Sequence, residues 1–160
     1  MSTVDARPAT APSVPGAAPH LLVVRAPYYT EVVDGLRDGA IRILDEAGAT
    51  FDVLDVAGAL ELAATVRLAV GGERRFDGFV ALGCVVKGDT DHYDYVCREA
   101  MAGLTQVALA HALCLGNGLL TVHSLQQALD RAGASGPNKG AEAAAAALLQ
   151  IRAARWLARS

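Results

Sequence analysis

Between an apolar run, Phe79–Val86, and a long helical pattern lies the segment Gly88-Asp89-Thr90-Asp91-His92-Tyr93-Asp94-Tyr95-Val96. Its residue types suit one kind of chemistry. A Gly, hydroxyl and acidic cluster between strand and helix predicts a tight turn whose backbone N–H groups face outward. The helix N-terminus that follows adds unpaired donors and a positive dipole end, which together cradle an anion. His92 falls in the first turn of that helix, and an imidazole moves protons near neutral pH. A phosphate-sized anion site beside a proton-transfer group fits an enzyme acting on a phosphorylated metabolite. On position alone, an ordinary capped turn with a solvent-facing histidine fits equally well.

The elements that would position this turn alternate regularly. Leu21–Val24 reads as a first strand, and Thr30 can cap a helix reaching about Ala47, stopped by Gly48. Phe51–Val56 is a second strand, followed by a helix from about Ala59 to Val70. Phe79–Val86 is the third strand, with a helix from about Asp91 to His111. Leu119–Val122 is the fourth strand. Ser124-Leu125-Gln126-Gln127 fits a capping box for a short helix that ends at Gly133. Asn138 caps a last, Ala-rich helix. Short, near-continuous apolar strands alternating with helices predict an α/β three-layer sandwich: a four-stranded parallel sheet flanked by helices on both faces. Ligands bind such sheets outside the carboxyl ends of the strands. There Tyr28-Tyr29, Gly58-Ala59-Leu60-Glu61 and the Gly88–His92 turn would meet.

Composition sets the limits around this reading. The chain has 160 residues, 52% of them hydrophobic, enough for one well-buried domain. Residues 1–19, rich in Ala, Ser and Thr and carrying Pro8, Pro12, Pro15 and Pro19, are expected to form a flexible arm, and 20–160 a single domain. The end of that arm could lend a strand to a neighbouring subunit. A net charge of −3 leaves no footprint for nucleic acid. No stretch reaches the roughly 18 apolar residues of a membrane span, and no signal peptide is evident. Cys84, Cys97 and Cys114 are odd in number and lack CxxC spacing, which argues against a disulfide framework. Cys84 reads as a small hydrophobe, and His111 with Cys114 lacks the further ligands of a metal site. A cytoplasmic, metal-free protein is expected.

Four ordered blocks carry a resemblance. Gly58-Ala59-Leu60-Glu61, Gly83–Val96, Gln127–Gly133 and Asn138-Lys139-Gly140 are similar to the successive signatures of the 6,7-dimethyl-8-ribityllumazine synthase family, over about residues 21–152. The resemblance implies a flavodoxin-like sheet and a cofactor-free condensation of 5-amino-6-(D-ribitylamino)uracil with 3,4-dihydroxy-2-butanone 4-phosphate. It implies small-molecule substrates and active sites shared between subunits of a homopentamer. Some members assemble pentamers into icosahedral shells, and association with riboflavin synthase belongs to the same expectation. His92 resembles the proton-transfer histidine. Tyr28, Ala59, Leu60, Glu61, Val85, Val86 and Asn117 match positions that bind the ribitylaminouracil. Gly88, Asp89, Thr90, Arg131 and Lys139 match those that bind the butanone phosphate. Arg131 would reach in from the neighbouring subunit and pair with Glu142.

Without that resemblance, Arg131 reads as a cation complementing a helix C-terminus, Glu61 as a first-turn acid, and Tyr28 as an exposed loop residue. The chain also departs from the family's pattern. Ala57 and Ala63 stand where prolines are usual, which relaxes the backbone around the ribityl position. Asn117 stands where many members place an aromatic, so ring stacking would fall mainly to Tyr28. Two other readings remain at this level: a non-catalytic flavin- or lumazine-binding shell protein, and a flavodoxin-like electron carrier binding FMN.

Overall fold

The computed structural model of the chain describes residues 9–134 and 136–158. Residues 1–8 of the expected arm and Ser135 of the loop before the last helix lie outside the described residues.

Nine elements alternate along the chain: β1 (His20–Ala26), α1 (Thr30–Glu46), β2 (Thr50–Asp55), α2 (Ala59–Gly71), β3 (Gly78–Val86), α3 (His92–Ala110), β4 (Leu115–Val122), α4 (Leu125–Ala132) and α5 (Lys139–Leu157). The four strands are parallel in the order β2-β1-β3-β4. In β1, Leu21 and Val23 pack into one apolar cluster, and Leu22 and Val24 into another, as a two-residue period requires. The first cluster includes residues of α1, α4 and α5; the second includes residues of α2 and α3. The result is the three-layer, flavodoxin-like sandwich. The chain leaves β1 toward β2 on one side and returns to β3 on the other, so the order reverses between β1 and β3. A crevice opens at such a switch point, at the carboxyl ends of the strands.

Local sequence explains most boundaries. Gly48 takes φ +68, and the N–H groups of Gly48 and Ala49 return to the carbonyls of Asp45 and Leu44 (3.0 and 2.9 Å), which closes α1 with a Schellman turn. Thr30 does not cap α1. It is the first helical residue, and its hydroxyl donates to the Pro27 carbonyl at 3.2 Å. Ser124 accepts from Gln127 N–H as expected, while the Gln127 side chain takes the N–H of His123 rather than that of Ser124. Strand β4 starts at Leu115, earlier than its apolar run. Gly116 and Gly118 weaken the strand signal there, yet close packing accounts for both, most strictly for Gly116, which faces backbone. A Cβ on Gly116 would stand 1.9 Å from the Ala143 carbonyl oxygen, and one on Gly118 would stand 2.7 Å from Leu82.

Asn138 does more than cap. Its Oδ1 accepts from the N–H groups of Gly140 and Ala141, while its Nδ2 donates to the carbonyls of Gly35, Ala132 and Gly133. One buried amide thus ties the body of α1, the end of α4 and the start of α5 together. Beside it, Gly140 brings α5 against α1 so closely that a Cβ would meet the Leu36 carbonyl oxygen at 1.8 Å. Backbone against backbone cannot yield locally. Gly140→Ala is therefore expected to cost about 2–3 kcal/mol, the upper part of the overpacking range, read as a lower denaturant midpoint. Gly71→Ala, which would meet only the flexible tip of Arg67 at 3.4 Å, should leave the midpoint nearly unchanged.

Of the N-terminal segment, Ala9, Ala11 and Val14 pack against the α1/α5 face of the core. Arg155 Nη1 donates to the carbonyls of Pro15 and Ala17 at 2.9 and 2.7 Å. Among the described residues, no helix is long and apolar enough to cross a membrane.

Candidate active site

A cavity of about 350 Å³ opens at the strand ends beside the switch point. Its walls come from three separate segments. After β1, Tyr28 and Tyr29 stand edge to face with ring centroids 5.2 Å apart. After β2, Gly58 and the first turn of α2 (Ala59, Leu60, Glu61) form the second wall. The end of β3 (Cys84, Val85, Val86), then Gly88, Thr90, His92, Tyr93 and Val96, form the floor and third wall.

The turn has the character its residue types suggest. Lys87 N–H still belongs to the sheet, donating to the Val122 carbonyl at 2.9 Å. Helix α3 then starts at His92 behind Asp91, whose side chain makes no capping bond. The Asp91 carbonyl takes the N–H groups of Asp94 and Tyr95 (3.0 and 3.4 Å), so among the described residues those of His92 and Tyr93 are the first-turn amides left open, and both residues line the cavity. Tyr28, 77% exposed, has its ring open to an incoming planar group. The mixture of ring faces, apolar strand ends, one carboxylate, one imidazole and open amides suits a polar heteroaromatic molecule with an anion beside it.

Nine of the positions picked out by sequence meet in this cavity: Tyr28, Ala59, Leu60, Glu61, Val85, Val86, Gly88, Thr90 and His92. Asp89 is exposed on the same turn but does not line it. Three others lie elsewhere. Asn117 sits opposite Ala81 in the β3–β4 ladder, well back from the strand end; its Nδ2 donates to Met101 Sδ at 3.2 Å, and its Oδ1 accepts Leu119 N–H at 3.0 Å. Arg131 is in the last turn of α4, where its Nη1 donates to the Gln127 carbonyl at 2.8 Å. Lys139 opens α5, with its Nζ 2.6 Å from Glu142 Oε2. The expected Arg131–Glu142 pair is thus replaced. Glu142 lies one helical turn after Lys139 and takes that cation, while Arg131 turns back on an open carbonyl of its own helix.

Sequence reading passed over Tyr93 and Val96 as cavity residues. Tyr93 rests edge to face on His123, with ring centroids 6.3 Å apart. Its neighbourhood with Val96 follows from helical spacing, a signal present but unremarkable beside His92. Cys84 lines the cavity yet is 5% exposed, and burial pushes its thiol up to about 11. It is an inert wall rather than a nucleophile.

Behind the first two walls lies an ion cluster. Arg25, at the end of β1, donates from Nε and Nη2 to Asp55 (2.6 and 2.7 Å) and from Nη1 to Asp34 (2.8 Å). The Arg25 guanidinium holds the Asp55 carboxyl below its ordinary 3.8. A depressed folded-state value contributes stability above the unfolded value, and that contribution is lost as pH falls through the folded one. The stability gap between wild type and Asp55→Asn should therefore hold steady at neutral pH and shrink below about pH 3.8. Denaturant midpoints across that range test the sign.

Comparison with known proteins identifies the family. The family described as 6,7-dimethyl-8-ribityllumazine synthase matches residues 18–155. The chain is similar to the protein of that name from Agrobacterium fabrum, 45% identical over 137 residues, covering 83% of this chain and 93% of the relative. It is similar also to the one from Afipia carboxidovorans, 41% identical over 143 residues, covering 87% and 88%. A third, 6,7-dimethyl-8-ribityllumazine synthase 1 of Mesorhizobium japonicum, is 43% identical over 141 residues, covering 86% of each chain. With the matched region running from the start of β1 into the last turns of α5, and so across every wall of the cavity, the chain belongs to the 6,7-dimethyl-8-ribityllumazine synthase family.

Proposed function

We propose that this chain condenses 5-amino-6-(D-ribitylamino)uracil with 3,4-dihydroxy-2-butanone 4-phosphate, giving 6,7-dimethyl-8-ribityllumazine, phosphate and water. This is the penultimate step of riboflavin biosynthesis. The observation that carries the reading is the single cavity at the switch point, where a tyrosine ring, a carboxylate, an imidazole and a helix N-terminus with open amides converge.

The pyrimidine stacks on Tyr28 and rests on Val85 and Val86. The ribityl chain runs along Ala59 and Leu60, with its hydroxyls donating to the Glu61 carboxylate. The phosphate sits on the Gly88–Thr90 turn, where backbone N–H groups and the Thr90 hydroxyl donate to it and the α3 dipole favours its charge. The uracil's amine attacks the butanone carbonyl. Imine formation, loss of phosphate, ring closure and dehydration follow. His92 relays protons during imine formation and phosphate loss. Both substrates are reactive, so holding them together supplies much of the acceleration.

Arg131, Lys139 and Asn117 lie off the cavity of their own chain, which supports the reading that they complete the site of a neighbouring subunit. Arg131 would then grip the phosphate through its guanidinium fork, with Lys139 adding positive charge and Asn117 covering the pyrimidine. The working form is a homopentamer or a multiple of it. Its product is riboflavin synthase's substrate, and association with that enzyme belongs to the same reading. The free thiols of Cys84, Cys97 and Cys114 fit a reducing, cytoplasmic setting. Mixing the two substrates with the purified protein and following product fluorescence tests the reaction; no product above the uncatalysed rate would overturn it.

A further inference from the structure

Two cavity walls follow directly on the ends of β1 and β2. Tyr28 follows β1 by two residues, and its backbone bond within the turn is from its N–H to the Ala26 carbonyl at 2.9 Å. The second wall, Gly58–Glu61, follows the short connection Val56-Ala57 after β2. That stretch contains no proline, and Gly58 begins α2 without a side-chain capping bond. Its backbone ties are Val56 N–H to the Arg25 carbonyl (2.7 Å) and Glu61 N–H to the Gly58 carbonyl (3.2 Å). Farther along, the Tyr29 carbonyl accepts Val33 N–H (2.9 Å) and buried Leu62 and Val66 seat α2 on the core, so each wall is held at its far end and the corner where β1 and β2 finish sets the near ends.

Arg25 and Asp55 are already opposite each other in the β1–β2 ladder, and the Arg25 side chain adds a second link across the two strand ends. The strand alternation that buries Leu21 and Val23 against α1 carries Arg25 to the rim of the same face. Its side chain is 11% exposed, so it is covered by the groups it bonds. The guanidinium fork takes both oxygens of Asp55, the last residue of β2, and its remaining amine reaches Asp34 on α1, the helix that follows Tyr28 and Tyr29. Arg37 Nη1 meets the same Asp34 oxygen at 2.9 Å, which fixes the acceptor. Isolated surface ion pairs contribute little, but a covered bidentate guanidinium with a third anchored partner imposes geometry as well as attraction.

We infer that Arg25 is a positioning residue for the pyrimidine half of the site: its bonds to Asp55 and Asp34 fix the separation between the Tyr28 wall and the Gly58–Glu61 wall. This rests on the proposed function, in which those two walls hold the ribitylaminouracil while the Gly88–Thr90 turn, on β3 and α3, holds the phosphate. The two substrates thus report on different parts of the cavity. A loosened β1–β2 corner raises the KM of one and leaves that of the other alone.

The test uses the full-length protein in its native assembly. Arg25→Met keeps the aliphatic stem and removes the fork. It is expected to raise KM for the ribitylaminouracil roughly fivefold or more, with kcat and KM for the butanone phosphate close to wild type. Asp55→Asn should raise the same KM, and the double variant should do little more than the larger single effect, because both remove one link. Arg25→Lys, which can satisfy one carboxylate, should recover part of the loss. Arg42→Gln, which breaks only the exposed Arg42–Glu46 pair on α1, should change nothing. If Arg25→Met does not fold, Asp55→Asn decides. Unchanged pyrimidine KM, or equal rises for both substrates, overturns the positioning role. A wild-type protein that makes no product overturns the proposed function, and the positioning role with it.

Discussion

His92→Ala is expected to lower kcat by about 10²-fold, with both KM values near wild type. Acid–base groups contribute roughly 10²–10⁴-fold, and this site belongs at the lower end. The imidazole is needed where a proton must leave the attacking amine, reach the departing carbonyl oxygen, or accompany loss of phosphate. None of those steps creates the encounter itself. With the imidazole gone, Tyr28, Glu61 and the Gly88–Thr90 turn still hold both reactants together, and that proximity is worth more than the proton relay. His92 opens α3 beside the amides assigned to the phosphate, so its removal leaves the cradle's backbone in place. Single-turnover mixing, which separates binding from chemistry, is the informative measurement. Wild-type turnover by His92→Ala would remove the imidazole from the mechanism. A large rise in either KM would make it a binding group instead.

How far this site could be read from sequence depends on whether the information was local. The apolar runs at Leu21, Phe51 and Phe79, with the helical periods between them, mark a parallel sheet whose loops gather at one edge. The Gly88–His92 turn, Tyr28 and the Gly58–Glu61 turn follow directly from that placement. What escaped depends on partners distant in sequence. Leu115–Gly118 looks too glycine-rich for a strand until the backbone of α5 is seen lying on Gly116. Asn138 reads as a cap, yet its amide also binds the Gly35 carbonyl, 103 residues earlier. The resemblance draws Glu142 to Arg131, eleven residues away, whereas the chain pairs it with Lys139, its neighbour one helical turn back. Arg25 is one charged residue at the end of an apolar strand, and nothing nearby in sequence announces Asp55 as its partner. Contacts within a turn or a strand are written in the pattern; contacts between distant segments are set by packing.

Arg131→Ala is expected to raise KM for the butanone phosphate by roughly 10- to 100-fold, the loss of one charge-assisted contact of about 1.5–3 kcal/mol. KM for the ribitylaminouracil should stay near wild type. Arg131→Lys should recover only part, because a point charge cannot reproduce the bidentate fork. In its own chain the guanidinium rests on the Gln127 carbonyl at the end of α4, away from the cavity. The assignment therefore carries a second, geometric consequence. If the guanidinium serves a neighbour, its site is built from two chains, and defects on different chains can be separated. Chains carrying His92→Ala and chains carrying Arg131→Ala, unfolded and reassembled together, would form some sites in which both residues are intact. With the butanone phosphate held well below the raised KM, activity of the mixture should then exceed that of either variant alone. If Arg131 served its own chain, every site in the mixture would lack one residue and no gain would appear. The kinetic result identifies what Arg131 binds, and the mixing result identifies whose cavity it enters.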